Sequence, residues 1–247
     1  MPRAARGGDI AMAMLSGVVM AAPTVGIGRL RAQPDLTLRL IWLVGHFPAE
    51  SGGSRYRQTG RMALRCSAGV VLAAGAGARF GMPKVLAAEG TWLAAAVTAL
   101  LEGGCDEVLV VLGAARASVP APAHPVLAPD WAQGLSASLR AGLAAASRYD
   151  VDHVVITLVD TPDVGADVVR RVLDAAAGST SGLARAVFGG RPGHPVVIAE
   201  RHWPALIEQL DGDVGAGPFL RSRDDVIEVE CGDLATGTDI DVVQRKV

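Results

Sequence analysis

An apolar run that leads straight into a glycine-rich turn sets narrow limits on the fold of this chain. Residues 70–84 read VVLAAGAGARFGMPK, so Leu72 ends a buried-looking segment that is followed by three glycines and two cations. Glycines let backbone N–H groups converge on an anion where a strand turns into a helix, and the N-terminus of that helix adds partial positive charge. The segment therefore predicts a strand, a phosphate-binding turn and a helix, in that order.

The spacing of the glycines separates this turn from two common phosphate loops. The dinucleotide fingerprint requires G-x-G-x-x-G, whereas Gly75, Gly77 and Gly81 are spaced G-x-G-x-x-x-G. A P-loop ends in Gly-Lys-Ser or Gly-Lys-Thr, whereas Lys84 stands three residues after Gly81 and is followed by valine. Arg79 and Lys84 add full positive charges, which suit a triphosphate.

After Met62 the sequence alternates apolar strands with helical stretches, which predicts an α/β fold. The runs 108–112 and 154–159 are almost wholly apolar, so we expect burial on both faces and hence a mostly parallel sheet with helices on each side. The predicted strands are 68–73, 107–112, 153–159, 183–188, 194–198 and 225–229. The predicted helices are 91–102, 135–147, 166–177, 201–210 and 216–221.

Residues 1–61 differ in character from the rest of the chain. They mix Arg-rich and Gly-rich pieces with an apolar run, 10–27, which superficially resembles a signal peptide but is broken by Gly17 and Pro23. We interpret 1–61 as a poorly ordered extension or as the product of a start assigned too far upstream, with Met62 as the natural beginning. Residues 62–247 are then the folded domain.

Composition narrows the functional classes. The net charge of -2 argues against a general binder of nucleic acid or of membrane surfaces. Cys66, Cys105 and Cys231 are scattered, with no C-x-x-C pair, which argues against zinc and against a disulfide framework. Such cysteines suit a reducing cytoplasm, and we expect a cytoplasmic protein.

The string L-A-A-G-x-G-x-R-F-G-x-P-K at 72–84 resembles the opening loop of the MobA-like nucleotidyltransferases, the relatives of the molybdenum-cofactor guanylyl- and cytidylyltransferases. The resemblance extends to Asp241 and implies a three-layer, Rossmann-like fold of the GT-A-like type. Arg79, Lys84 and Asp160 would then be catalytic, with the two cations neutralising the leaving pyrophosphate and Asp160 holding the metal. The nucleotide-binding residues implied by this loop are Leu72, Ala73, Ala74, Gly75, Ala76, Gly77, Arg79 and Lys84.

Two carboxylates are candidates for Mg²⁺. Asp160 directly follows an apolar strand and precedes Thr161 and Pro162, and a carboxylate at a strand end can hold Mg²⁺ against phosphate oxygens. This D-x-P also matches the family's metal-binding element. Near the C-terminus, Asp239 and Asp241 match the family's [DN]-I-[DN] element, and we prefer Asp241 as the second ligand, although the choice between the two stays open. The continuation Val-Val-Gln-Arg departs from the family's Thr-Pro-Glu-Asp.

Three further elements resemble family motifs. Residues 131–142 match W-x-x-G-[LM]-S-x-S-L-R-x-G, which implies that Gly134 and Ser136 lie against the nucleotide, with Ser136 at a helix start offering its hydroxyl and N–H. Residues 189–196 match G-x-x-G-H-P-V, which implies that Arg191 and His194 face the acceptor. The turn at 210–216 resembles G-D-x-G-A, but Gly217 follows it where many members carry arginine.

The resemblance implies nucleotidyl transfer with Mg²⁺ as cofactor. Ala73-Ala74-Gly75 resembles the cytidylyl members, so the expected reaction joins CTP to molybdopterin, and an apo-molybdoenzyme is an expected partner. The near alternatives are a molybdopterin guanylyltransferase and a transferase acting on sugar phosphates or alcohol phosphates. A non-catalytic cofactor carrier is the alternative from another class. A Rossmann dehydrogenase is disfavoured, because 112–115 carries no acidic residue for a ribose.

Overall fold

The computed structural model describes residues 66–241, and the interpretation of 1–61 lies outside them. Seven strands form one sheet in the order β3-β2-β1-β4-β6-β5-β7. The strands are β1 (Ser67–Leu72), β2 (Glu107–Leu112), β3 (His124–Leu127), β4 (His153–Leu158), β5 (Leu183–Phe188), β6 (Arg191–Ala199) and β7 (Ile227–Glu230). The helices are α1 (Thr91–Glu102), α2 (Leu135–Ala146), α3 (Ala166–Gly178), α4 (Trp203–Gln209) and α5 (Gly217–Arg221).

Six of these seven strands run in one direction, and β6 runs against them. Strand β1 pairs in parallel with β2 and β4, β2 with β3, and β5 with β7. Strand β6 is antiparallel to both of its neighbours, β4 and β5. The predicted α/β class with a mostly parallel sheet is confirmed. Because β6 runs backwards, its first residues lie at the same edge of the sheet as the last residues of β4.

The core lies on both faces of the sheet, because successive strand side chains point to opposite sides. One cluster packs α1 and α3 against Val71, Val110 and Val155. A second cluster packs α2, α4 and α5 against Val70 and Val154. Helices therefore cover both faces, as the apolar strands predict, and the three-layer arrangement is confirmed.

The segment Lys84–Glu102 is long and apolar enough to cross a membrane by composition alone. Its backbone, however, leaves helical geometry in the turn before α1, where Ala88 and Glu89 have φ of 47° and 56°. Helix α1 then buries Leu93, Val97 and Leu100 against the sheet. These contacts are those of a core helix.

Strand bounds differ from the predictions mainly at the edges and in β6. Strand β3 was not predicted, since it is short and contains Pro125, and three of its four residues are exposed. Strand β6 begins three residues before the predicted 194–198, in a segment whose Pro192 and Gly193 obscure strand character. Strand β7 begins two residues later than predicted.

Candidate active site

The glycine-rich loop that follows β1 forms one wall of a cavity of about 560 Å³ at the carboxyl end of the sheet. Gly77 has φ of 63°, and a Cβ atom there would lie 1.9 Å from the carbonyl oxygen of Met82, so the turn requires glycine. The N–H of Gly81 donates to the carbonyl of Gly77 at 2.8 Å and closes the turn. The predicted loop residues from Leu72 to Gly77 all line this cavity, together with Arg79 and Lys84.

Lys84 connects the loop to both predicted metal ligands. Its Nζ donates to Oδ2 of Asp160 at 2.7 Å and to Oδ1 of Asp241 at 2.8 Å. The side chains of Lys84 and Asp160 are only 15% and 16% exposed, so this ion pair is shielded from solvent, whereas Asp241 is 40% exposed. Arg79, which is 83% exposed, reaches Oδ2 of Asp241 at 3.4 Å. Asp160 and Asp241 thus meet at the ammonium group of Lys84, although they lie 76 and 157 positions away from it in the sequence.

The charges at this contact shift each other's protonation. Burial lowers the pKa of the Lys84 ammonium, but its hydrogen bonds to Asp160 and Asp241 outweigh burial and raise that pKa above its ordinary value. The hydrogen bond from Lys84, and then the charges of Lys84 and Arg79, lower the pKa of Asp241. Lys84 is therefore a cation and Asp241 an anion at neutral pH.

Asp160 stands two residues beyond Leu158, the last residue of β4, and its backbone is also bonded to the C-terminal segment. Its carbonyl accepts the N–H of Ile240 at 3.0 Å, which fixes the C-terminal segment against this strand end. Its Oδ1 atom is buried and has no hydrogen-bond partner among residues 66–241. A buried carboxylate oxygen without a partner is energetically costly, and a cation bound there would satisfy it.

The donor set fits Mg²⁺ bound together with phosphates. In the part of the chain that the structure describes, no group of three or more His, Cys, Asp or Glu side chains could hold a metal by itself. Mg²⁺ at phosphate sites needs only one or two protein carboxylates, the remaining ligands being water and phosphate oxygens. Asp160 and Asp241 would hold it. Asp239 also lines the cavity, but it makes no contact with Lys84 comparable to that of Asp241.

The far wall of the cavity comes from the segment before α2 and from its first turn. Trp131, Gly134, Leu135 and Ser138 line it. Ser136 does not, and here the structure differs from the prediction. The Ser136 N–H, expected to face the nucleotide, donates to the carbonyl of Gly212 at 3.1 Å. The turn at 210–216 packs on this helix start and takes the amide, a long-range contact that no local pattern reveals.

The two predicted acceptor residues lie at the beginning of β6, outside the cavity wall. Arg191 is exposed and pairs in register with Phe188. His194 is half-buried, and burial lowers the pKa of its imidazole, while the carboxylates of Asp160 and Asp239 act in the opposite direction. His194 is therefore within the electrostatic reach of the carboxylate cluster, and Arg191 lies further along the same edge of the sheet.

Sequence reasoning did not assign site roles to Asp213, Trp131 or Ser138, which line the cavity. Trp131 and Ser138 belong to the W-x-x-G motif, and its aromatic first position was the available signal. Asp213 lies in the turn at 210–216, for which the sequence gives a motif resemblance but no site residue. Its side chain accepts the N–H of Leu135 at 3.1 Å and so reaches the start of α2.

Comparisons with known proteins agree with this geometry. Residues 69–226 match the family model described as a MobA-like NTP transferase domain. Nicotine blue oxidoreductase of Paenarthrobacter nicotinovorans is 38% identical over 200 residues, covering 74% of this chain and 95% of that protein. The crystal structure of Rv0371c from Mycobacterium tuberculosis H37Rv superposes with a TM-score of 0.60 at 26% identity, covering 72% of this chain and 94% of that one. A manganese complex of Rv0371c gives a TM-score of 0.53 at 25% identity, covering 71% and 94%.

The family match covers most of the domain, including the loop after β1 and Asp160, and the resemblance read from the sequence is confirmed. The family's activity is transfer of a nucleotidyl group, and the cavity provides the loop, cations and carboxylates that such a reaction uses. The chain is a nucleotidyltransferase that belongs to the family of MobA-like NTP transferase domains.

Proposed function

We propose that this protein is a Mg²⁺-dependent CTP:molybdopterin cytidylyltransferase, which forms molybdopterin cytosine dinucleotide and pyrophosphate. One observation carries the proposal: Lys84 of the glycine-rich loop bridges Asp160 and Asp241 within 2.8 Å at the wall of a single cavity. A phosphate-binding turn, two cations and two carboxylates in one place suit a nucleoside triphosphate with its metal.

The chemistry requires positioning and charge neutralisation more than a protein nucleophile. The terminal phosphate of molybdopterin is already ionised near neutral pH, so its oxygen attacks the α-phosphorus without a protein base. A new P–O bond forms on the α-phosphorus while the bond to the bridging oxygen breaks, and pyrophosphate leaves with that electron pair. When bound, Mg²⁺ supplies further positive charge to the phosphate oxygens. Arg79, Lys84 and the backbone amides of 76–79 neutralise the leaving group.

The preference for cytosine rests on the first residues of the loop. Ala73 and Ala74 are buried beside the end of β2 and the residues that follow it, because the N–H of Ala73 donates to the carbonyl of Val111 and the carbonyl of Ala74 accepts the N–H of Ala114. These two alanines resemble the cytidylyl members. The molybdopterin guanylyltransferase reaction and transfer to other phosphate acceptors are the near alternatives.

The test is direct. We expect the purified chain with Mg²⁺ and molybdopterin to release pyrophosphate fastest with CTP and to yield the cytosine dinucleotide by mass spectrometry. An Asp150→Asn variant should react like wild type, because Asp150 is an exposed carboxylate outside the cavity. A guanine dinucleotide would replace the cytosine assignment, and metal-dependent binding of nucleotide without turnover would favour the non-catalytic carrier.

Oxidoreduction is a second candidate, because the relative at 38% identity carries that name and matches over 95% of its length. The described cavity argues against a dinucleotide site of the Rossmann type, since Gly113 and Ala114 follow β2 where an acidic residue would hold the ribose. Incubation with nicotine blue and either NADH or NADPH, followed by absorbance, distinguishes the two. Oxidation of the nicotinamide without any pyrophosphate release would overturn the transferase proposal.

The cellular setting follows from the proposed reaction. A dinucleotide cofactor must pass to an apo-molybdoenzyme, which we propose as a protein partner. We propose the cytoplasm as the location, where cysteines remain reduced. Burial raises the pKa of the Cys105 thiol to about 12, so this cysteine is unreactive as well as enclosed.

A further inference from the structure

We infer that Asp213 binds the ribose of the nucleotide and makes the enzyme select ribonucleotides over 2′-deoxyribonucleotides. The inference rests on the proposed function, because it assigns one part of the triphosphate substrate to one part of the same cavity. It starts from the charge of the cavity wall, which differs between the loop after β1 and the start of α2.

Of the four carboxylates that line the cavity, Asp213 and Asp239 have no cation paired with them in the described part of the chain, and Asp213 is the one that lies at the start of α2. Asp160 and Asp241 are both paired with Lys84. Asp213 forms no salt bridge with any residue in 66–241, although it lines the same cavity. An uncompensated carboxylate repels a polyphosphate, so the triphosphate lies at Arg79 and Lys84 and a neutral part of the substrate lies at Asp213.

The two oxygens of Asp213 are in different situations. Oδ1 accepts the N–H of Leu135 at 3.1 Å, which fixes the side chain at the start of α2. The neighbouring N–H of Ser136 is taken by the carbonyl of Gly212. The first amides of α2 are therefore already bonded within the protein and are not offered to a phosphate. Oδ2 has no hydrogen-bond partner in the described part of the chain and is available to accept one from a ligand.

A ribose provides the donors that this oxygen requires. An ionised carboxylate only accepts hydrogen bonds, and a nucleoside offers it the hydroxyl groups of the sugar. Dinucleotide-binding folds use an acidic residue on ribose hydroxyls in the same way. Trp131 lines the cavity beside Gly134 and Leu135, and a base stacked on its indole would place the sugar between the base and the phosphates.

Binding of CTP, dCTP and UTP with Mg²⁺ to the full chain tests the inference by calorimetry. We expect wild type to bind dCTP roughly 10- to 100-fold more weakly than CTP, because a hydrogen bond to a charged group is lost. Asp213→Asn is the key variant, since its amide oxygen can still accept the Leu135 N–H while an NH₂ group replaces the free oxygen. This variant should bind CTP only as tightly as it binds dCTP, and its affinity for dCTP should equal that of wild type. The ratio of its affinities for CTP and UTP should also stay as in wild type.

Other outcomes identify what has failed. Equal affinity of wild type for CTP and dCTP overturns the inference directly. The inference is also overturned if Asp213→Asn changes the ratio of the affinities for CTP and UTP, or changes only the KM for molybdopterin. If Asp213→Asn lowers the affinities for CTP and dCTP by the same factor, the residue has a structural role and the inference is also overturned. If wild type binds no nucleotide at all, the proposed function falls and the inference falls with it. Lys84→Ala is the comparison, because it should weaken CTP and dCTP by the same factor.

Discussion

The half of the domain before Gly165 and the half after it contribute to the site in different ways. In the first half the strands are parallel, so Ala73 and Asp160 reach the cavity simply by following β1 and β4. In the second half β6 runs backwards, and the second carboxylate, Asp241, comes from an irregular segment beyond β7. The rule that ligands bind at the carboxyl ends of parallel strands therefore accounts for the positions of Ala73 and Asp160 but not for that of Asp241.

The two halves also differ in what holds their site residues in place. The turn at 77–81 is closed by its own hydrogen bond and needs no distant partner. Asp241 depends on contacts made far away in sequence: Ile240 donates to Asp160, and the side chain of Asp163 accepts both the N–H and the hydroxyl of Thr236. We expect substitutions in the first half to affect chemistry most and those in the second to affect positioning.

Lys84→Ala should have the largest effect on turnover. We expect a loss of roughly 10³-fold or more, because the leaving pyrophosphate loses its best-placed cation. The protein should stay folded by circular dichroism, since the sheet core does not involve this residue. Turnover within tenfold of wild type would remove Lys84 from the catalytic machinery.

Asp160→Asn should come next, with a loss of roughly 10²- to 10³-fold in turnover. The variant should also bind Mn²⁺ more weakly, measured by electron paramagnetic resonance, because the partnerless Oδ1 becomes part of a neutral amide. Asp150→Asn serves as the control and should match wild type in both measurements. Undiminished Mn²⁺ binding in Asp160→Asn would show that the metal lies elsewhere.

Asp241→Asn and Asp239→Asn form a matched pair two residues apart. Asp241 contacts both Lys84 and Arg79, so we expect roughly a 10- to 100-fold loss of kcat/KM from its replacement, on the scale of one charge-assisted hydrogen bond. Asp239 makes no such contact, and its replacement should cost at most a few-fold. The reverse order would exchange the roles that we give to the two aspartates.

Gly237→Ala tests how the second half places Asp241. Gly237 has φ of 59°, and a Cβ atom there would lie 2.1 Å from the ring of Phe188, so we expect a free-energy cost of about 1–3 kcal/mol in thermal unfolding. Gly178→Ala is the control, because its Cβ would meet nothing within 4 Å and its φ is not in the left-handed region. Equal melting temperatures for the two variants would show that the Phe188 contact does not constrain this segment.

Arg191→Ala should have the smallest effect on turnover, and it should change the KM for only one of the two substrates. Arg191 is exposed at the beginning of β6, so we expect the KM for molybdopterin to rise by about 2- to 5-fold, as for a solvent-exposed ion pair. The KM for CTP should not change. A rise in the CTP value alone would place Arg191 on the nucleotide side.

The sequence predicted the parts of the molecule whose determinants are local. The loop at 72–84, the bounds of α1 and the burial of β2 and β4 all follow from spacing and from apolar runs, and the structure has them where they were expected. Strand β3 was missed because Pro125 and exposed residues hide it. The sequence does not show that the Ser136 amide bonds to Gly212, 76 residues further along the chain, because such a contact leaves no trace in local pattern.

The bond from Ile240 to Asp160 joins the last described residues to the centre of the sheet. The second carboxylate of the site therefore lies beyond the sheet in sequence, since every strand that the structure describes precedes residue 231. A protease that cuts the connection between β7 and Asp239 would leave the helices and strands in place but would separate Asp241, one of the two proposed metal ligands, from Asp160. We expect such a molecule to stay folded and to lose its activity.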